Sequence, residues 1–352
     1  MKNRIKLCIR SLRNHKLDSL LISDPINISY LTGFRSADGF LLLSTEGKLT
    51  YFTNFIYSQE AKELKVWDVA VCPCDIFTNI SKCIIKQGLK NVGFEAKHLP
   101  FMEYKKISQA ACRNKVNFAD ATEIISEQRA IKSKNELSLI KQSALISKDC
   151  FNFIDEIKNK AMTEEFLSVE TEHFLKLKGD SETAFKTIVA SGKNSAKPHH
   201  IPNTKVIGSD IFITDLGSKY YGYCADLTRV FFWDRMPTYI QKVYAAVKKA
   251  HEAGIRAAKE GVRAKDLDLC ARSVIEKKGF GKFFGHGLGH GVGLCVHEDP
   301  FINPYNETLL KSGMVITIEP AVYIPKQFGI RVESMILVTE TKAQVLDGNI
   351  NW

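Results

Sequence analysis

The sequence predicts a two-domain α+β protein, with an α/β layer domain first and a mixed domain of helices and hairpins after it. Three observations carry this expectation. The chain has 352 residues, more than one core usually serves at roughly 150 residues per domain. Residues 1 to about 122 alternate short apolar runs with helical ones. From 123 onward that texture gives way to a long helical stretch, then to strand pairs carrying acids among apolar residues.

In the first region LDSLLISD reads as a strand, and GFLLLSTEGKLTYFTN as two strands joined by a turn at Glu46 and Gly47. YSQEAKEL follows as a helix, VWDVAVCP as a strand, ISKCIIKQGLK as a helix and NVGFEA as a strand. Such alternation is the signature of an α/β layer. The stretch from 123 to about 160 has apolar residues at helical spacing with almost no Gly or Pro. It predicts one long helix or two, with Ser133 and Glu136 spaced as a capping box at an internal start. The domains are therefore expected over 1–122 and 123–352. In the second, Thr163 starts a helix to about Lys178. TYIQKVYAAVKKAHEAGIRAAKEG is another, ended by Gly261, and AKDLDLCARSVIEKKG a third, ended by Gly279.

Hydrophobic residues make up 45% and charged ones 25%, as in ordinary soluble globular proteins. The formal charge is +10, but Lys and Arg are spread along both halves and mixed with Glu. That is a solvated helical surface; a nucleic-acid binder would show a clustered stripe or a known module. MKNRIKLCIRSLRNHKLD is basic without an apolar core or cleavage site, so no signal peptide is expected. No apolar run approaches the ~18 residues of a membrane span. The nine cysteines are scattered without a CxxC, although Cys72 and Cys74 lie close. They read as reduced thiols of a cytoplasmic protein, not a disulfide frame or a zinc ribbon.

The chemistry lies in two strand pairs and the stretch between them. In DIFITDLGSKYYGYCADLTRVFFW, residues 210–233, alternation puts Asp215 on one face with Ile211 and Ile213, and Asp226 on one face with Cys224 and Thr228. A turn centred between Tyr220 and Tyr221 would set Asp215 directly opposite Asp226. Facing carboxylates on apolar strands need a shared proton, a basic side chain or a metal. Arg229 points to the other face from Asp226. In GMVITIEPAVYIPKQFGIRVESMILVTE, residues 313–340, the pattern recurs: Glu319 and Glu333 oppose each other about Lys326. Between the hairpins runs FFGHGLGHGVGLCVHEDP, residues 283–300, with His286, His290 and His297 among glycines. Four carboxylates and an imidazole would suit two divalent cations, with Mn²⁺ foremost and Co²⁺, Zn²⁺ or Fe²⁺ as alternatives. The glycine stretch does not fit GxGxxG, and no GxxxxGK[ST], HExxH or GxSxG occurs.

These residues resemble the pita-bread metallopeptidases, specifically the Xaa-Pro branch of Xaa-Pro dipeptidases (prolidases) and aminopeptidase P. The resemblance spans essentially the whole chain. It rests on PINISYLTGF, IVASGKNSAKPHH, TDLGSKYYGYCADLTR, GHGLGHGVGLCVHEDP, TIEPAVYIP and GIRVES taken together. It implies a creatinase-type N-terminal domain and a pita-bread catalytic domain. It also implies the metal ligands Asp215, Asp226, His290, Glu319 and Glu333, with Asp226 and Glu333 bridging. His297 and His199 are implied to bind the scissile carbonyl oxygen and substrate, with His200 the neighbouring alternative to His199. Glu319 is the implied general base, Arg331 the partner of a ligand carboxylate, and His286 a group that hydrogen-bonds within its loop. Two departures stand out: Ser334 follows Glu333 where the family has Asp or Asn, and Cys295 stands where an acid is common.

The implied reaction is hydrolysis between an N-terminal residue and proline, with the dipeptidase preferred over aminopeptidase P, in a cytoplasmic homodimer that binds neither nucleic acid nor membrane. Methionine aminopeptidases share the ligands but usually lack the N-terminal domain, and creatinase shares the fold but not the ligands. A non-catalytic binding protein on this fold would be expected to have lost ligands that this chain keeps.

Overall fold

The computed structural model describes residues 2–35, 38–63, 68–73, 75–233 and 236–348. Leu64, Val66, Trp67 and Cys74, which fall in or beside expected elements, lie outside the described residues. The chain divides into two compact units after Gln128.

In the first unit six strands form one sheet: β1 (Ser19–Ile22), β2 (Phe40–Ser44), β3 (Leu49–Thr53), β4 (Asp68–Val71), β5 (Asn91–Phe94) and β6 (Asn117–Asp120), in the order β4-β3-β2-β1-β5-β6. The β2–β3 hairpin turns through Gly47 (φ 87°). Every residue of β1, β2 and β3 is buried, as continuous apolar runs require. The helices are α1 (Lys2–Asn14), α2 (Pro25–Thr32), α3 (Ser58–Glu63), α4 (Ile76–Lys86) and α5 (Phe101–Cys112). The basic N-terminal stretch, read only for what it lacks, is α1. PINISYLTGF is α2, capped by Asp24 on the Ile26 amide with Pro25 in its first turn, and stopped by left-handed Gly33. The buried Glu95 carboxylate accepts from the Ser23 and Asp24 amides and from Asn27, fixing the α2 entry to the end of β5.

Helix α6 (Glu123–Ala130) leads to α7 (Lys134–Ile157), so the helical stretch is two helices. The expected capping box is complete: Ser133 accepts from the Glu136 amide, and Glu136 accepts from the Ser133 amide. The second unit then uses one arrangement twice. Helix α8 (Glu164–Lys178), α9 (Thr238–Ala257) and α10 (Ala264–Lys277) complete two helix pairs, α7–α8 and α9–α10. The start of α8 is pinned by Glu164 and Glu165 amides on the Lys205 and Asn203 carbonyls. The start of α10 is pinned in the same way by Ala264 and Lys265 on Thr308 and Asn306. Helix α9 stops at Ala257, short of the expected Gly261. Amides of Glu260 and Gly261 are drawn off to the Thr339 and Leu310 carbonyls, and Gly261 (φ 82°) makes the turn instead.

Against the first helix pair lies a sheet of β7 (Ile188–Ser191), β8 (Ile211–Leu216) and β11 (Leu227–Phe232), ordered β11-β8-β7 and extended at the hairpin tip by β9 (Lys219–Tyr220) and β10 (Tyr223–Cys224). The other half holds β12 (Gly289–Gly291), β13 (Glu298–Ile302), β14 (Val315–Ile318), β15 (Ala321–Ile324), β16 (Phe328–Arg331), β17 (Ser334–Leu337) and β18 (Gln344–Val345). Buried aliphatics of α9, α10, β14 and β16 form one core; those of α7, α8, β8 and β11 form the other.

The second hairpin has the expected register: Ala321 pairs with Arg331 and Ile318 with Ser334, centred on Lys326. The first does not. Its turn is Tyr221 (φ 48°) and Gly222 (φ 83°), Tyr220 pairs with Tyr223, and Asp215 faces Thr228 rather than Asp226. A two-residue hairpin turn of this kind needs positive φ at both central positions, and Gly222 supplies one of them. The turn therefore slides one residue along and the pairing shifts by two. Asp226 stays on the Asp215 face because a shift of two preserves alternation.

Candidate active site

Asp215 is the penultimate residue of β8, Asp226 precedes β11, His290 is the middle of β12, Glu319 follows β14 and Glu333 precedes β17. These five meet. Donor atoms lie within 4.8 Å of one another in each of three sets: Asp215, Asp226 and Glu333; His290, Glu319 and Glu333; and Asp226, His290 and His297. His290 Nε2 is 3.3 Å from Glu319 and 3.5 Å from Asp226. The group lines a cavity of about 640 Å³ together with His199, His286, Phe301, Tyr323 and Arg331. A second cavity of about 280 Å³, walled by Phe185, Ile188, Ile201 and Pro202, shares His199, Asp215, Asp226 and His297 with it.

The electrostatics of this cluster are unbalanced. Burial pushes the Asp215 carboxyl up against the pull of Arg331. Burial and the neighbouring Asp215 push Asp226 to about 7, against hydrogen bonding from His290. Glu333 is driven well above the carboxylate range by burial and by Asp226, Glu319 and Asp215. Glu319 is the exception: burial raises it, but His290 beside it brings it down to about 2. His290 is correspondingly pushed well above its ordinary value, against burial, by Asp226 and Glu319. Asp215 Oδ1 and Glu333 Oε1 are buried with no hydrogen-bond partner among the described residues. Buried, unpaired carboxylate oxygens of this kind are costly without positive charge. Hard oxygen donors with one imidazole suit divalent first-row cations, so the residues fit the metal centre that their pattern implies.

The surroundings hold each donor in place. Arg331 donates from Nη2 to Asp215 (2.5 Å), from Nε to Thr228 Oγ1 (2.9 Å) and from Nη1 to the Tyr323 hydroxyl (2.5 Å). Thr228 in turn donates to Glu333 (2.8 Å). Thr317 Oγ1 accepts from the His290 amide. Gly289 is required there, since a Cβ would lie 2.1 Å from the Thr317 carbonyl oxygen. The glycine stretch is gripped from α10: Asp268 accepts from the Leu288 amide and pairs with Arg272, which donates to the carbonyls of Phe284 and His286. Its far end is held by Glu298, buried between Arg129 (2.5 Å) and Lys132 (2.9 Å). Burial raises the Glu298 carboxyl, but these two cations bring it below the usual range. Arg129 also reaches Cys295 Sγ at 3.0 Å, which is where the unexpected thiol sits.

The histidines separate by their surroundings. His297 is exposed at the mouth, its ring edge-on to His290 with centroids 4.2 Å apart. Burial and His290 hold its pKa below the ordinary value. His199 lines both cavities. His200 is buried and bonded through Nε2 to Glu164 (2.7 Å), which also accepts from the Ser191 amide and Asn194. His286 bonds through Nδ1 to the Gly287 carbonyl and packs against Phe284 and Tyr323. Arg229 faces away from Asp226 and pairs with Asp347. The roles of Thr228, Tyr323, Glu164, Asp268 and Asp347 went unread in the sequence. Only Thr228, alternating with Asp226, carried a signal.

Two family profiles match this chain: the creatinase/prolidase N-terminal domain over residues 4–131 and metallopeptidase family M24 over residues 138–340. The chain belongs to metallopeptidase family M24. Its second unit is the pita-bread catalytic domain of that family, and its first is the creatinase-type N-terminal domain. Within the family it is similar to an Xaa-Pro dipeptidase of Pyrococcus horikoshii, 33% identical over 98% of this chain and 97% of that one. The solved structure of an Xaa-Pro dipeptidase from Bacillus anthracis superposes with a TM-score of 0.94 at 28% identity, covering 100% of this chain and 98% of that one. An X-Pro aminopeptidase from Thermotoga maritima gives 0.86 at 31% identity, covering 97% and 99%. No helix among the described residues is long and apolar enough to cross a membrane.

Proposed function

We propose that this M24 enzyme hydrolyses the bond between an N-terminal residue and a following proline, acting as an Xaa-Pro dipeptidase. The meeting of Asp215, Asp226, His290, Glu319 and Glu333 in one cavity carries this reading. Asp215, Asp226, His290, Glu319 and Glu333 would together hold two divalent cations. Bound there, such cations supply Lewis acidity to a carbonyl and make a water reactive near neutral pH.

The chain's own groups do the rest. His297, kept neutral at the cavity mouth, donates its N–H to the carbonyl oxygen as negative charge grows on it. His199 binds the substrate from beside it. Glu319, ionised at neutral pH, takes the proton of the attacking water and delivers it to the proline nitrogen as the C–N bond breaks. Arg331 pairs with Asp215 and holds its carboxylate oriented. Phe301 and Tyr323, in the cavity wall, offer the prolyl ring an apolar surface.

The likeness to the T. maritima X-Pro aminopeptidase supports a second reading, release of the first residue from longer Xaa-Pro peptides. Chelator-stripped protein reloaded with Mn²⁺ and offered Ala-Pro, Ala-Pro-Ala and Ala-Ala separates them. Cleavage of Ala-Pro alone is expected; cleavage of the tripeptide selects the second reading, and metal-dependent cleavage of neither proline peptide overturns both. The resemblance also carries the proposal of a cytoplasmic homodimer, checked by mass in solution and by cell fractionation.

A further inference from the structure

Arg229 is a buried cation that hydrogen-bonds the backbone carbonyls of Thr228 and Glu333 and so spans the two ligand-bearing hairpins. Its Nη1 donates to the backbone carbonyl of Thr228 (2.8 Å), at the head of β11, and to that of Glu333 (2.5 Å), at the entry to β17. The Glu333 amide closes the same junction on the Thr228 carbonyl (3.3 Å). The guanidinium is thus a clasp across the point where Asp226 and Glu333 approach. A guanidinium buried this deeply must have a counter-charge nearby. It comes from the far end of the chain: Nη2 donates to Asp347 Oδ2 at 2.8 Å, and the Asp347 side chain is fully buried. Ser334 Oγ, directly after Glu333, donates to the same oxygen at 3.2 Å.

We infer that Asp347 is a positioning residue for the metal centre, acting through Arg229 on the backbone of Glu333. Its carboxylate neutralises the clasp, so the guanidinium can bind two carbonyls without an uncompensated charge. Ser334 lies so close to the Asp347 carboxylate that an aspartate at 334 would present its charge to the same guanidinium. The geometry therefore predicts that the negative charge can be moved between positions 347 and 334. A merely structural role for Asp347 would predict no such rescue of cation binding.

Glu333 acting as a cation ligand, as proposed above, is the premise. The test uses the full-length chain, stripped with chelator and titrated with Co²⁺ alone, read by calorimetry and by the visible absorption of bound Co²⁺. D347N is expected to weaken Co²⁺ binding by about tenfold or more, the range for lost outer-shell support, and to alter the absorption band. S334D/D347N is expected to return the affinity to within about threefold of wild type and to restore the band. Wild-type binding and spectrum in D347N would overturn the inference. So would a folded S334D/D347N as weak as D347N. Should D347N not fold, the charge-free pair R229M/D347L replaces it: weakened Co²⁺ binding supports the clasp, and wild-type binding overturns it. A wild-type chain that takes up no Co²⁺ instead overturns the metal reading itself, and the two failures are distinguishable.

Discussion

Glu164 Oε2 accepts a hydrogen bond from His200 Nε2 at 2.7 Å, with both side chains buried. This ties His200 to the start of α8; it borders only the smaller cavity, whereas its neighbour His199 lines both. Glu164→Ala strands His200, Asn194 and the Ser191 amide together, and is expected to cost roughly 3 kcal/mol in a urea titration. His199→Ala should leave the urea midpoint unchanged while lowering kcat/KM by about 10²-fold. An unchanged midpoint in Glu164→Ala would refute the anchoring role.

Removing the cations should expose the cost of the carboxylate cluster. A cation at about 100 times its Kd stabilises the fold by roughly 2.7 kcal/mol. Thermal melts of the stripped chain are therefore expected to rise on adding Mn²⁺, and those of Asp226→Asn and Glu333→Gln to rise much less. An equal rise in all three proteins would show that the bound metal lies elsewhere.

The backbone beside His290 has no room to spare. Gly289→Ala brings a Cβ against the Thr317 carbonyl, and is expected to destabilise by about 3 kcal/mol and to lower metal content by mass spectrometry. Gly285→Ala is the control, because a Cβ there meets nothing within 4 Å. Equal behaviour of the two variants would remove the steric account of this strand.

His251, buried on α9, is pushed down to about 3 by burial and by the Arg229 charge. Its unfolded counterpart titrates near 6.5. Between those values the unfolded chain binds the extra proton, so stability is full above about 6.5 and falls as pH drops towards 3, by up to roughly 1.4 kcal/mol per pH unit. His251→Phe is expected to flatten the difference between urea titrations at pH 7.5 and 5.5. An undiminished difference would assign the acid loss to other groups.

The second hairpin was legible because its register follows from symmetry about Lys326, which takes φ 64° in the turn. The first misled because Tyr221 adopts positive φ, which no β-turn preference for tyrosine announces. The five proposed ligand positions lie on or directly beside apolar strands or in the glycine stretch, where an acid or imidazole is conspicuous. Their supports are not conspicuous. Asp268 and Arg272 look like an ordinary i,i+4 helix pair, and only the fold reveals that they grip the carbonyls of Phe284 and His286. Asp347 is a lone acid near the C-terminal end, and its partner Arg229 is known only once β11 and β17 are seen together. Tertiary partners of this kind leave no periodic trace in a single sequence.

The proposed donors are strung along the chain from Asp215 to Glu333, and the second hairpin is translated after the first hairpin and the glycine stretch. A ribosome that has finished everything up to Ile318 has made every helix among the described residues but neither Glu319 nor Glu333. With two of the five proposed ligands still to come, a chain abandoned at that point is expected to lack the complete metal centre.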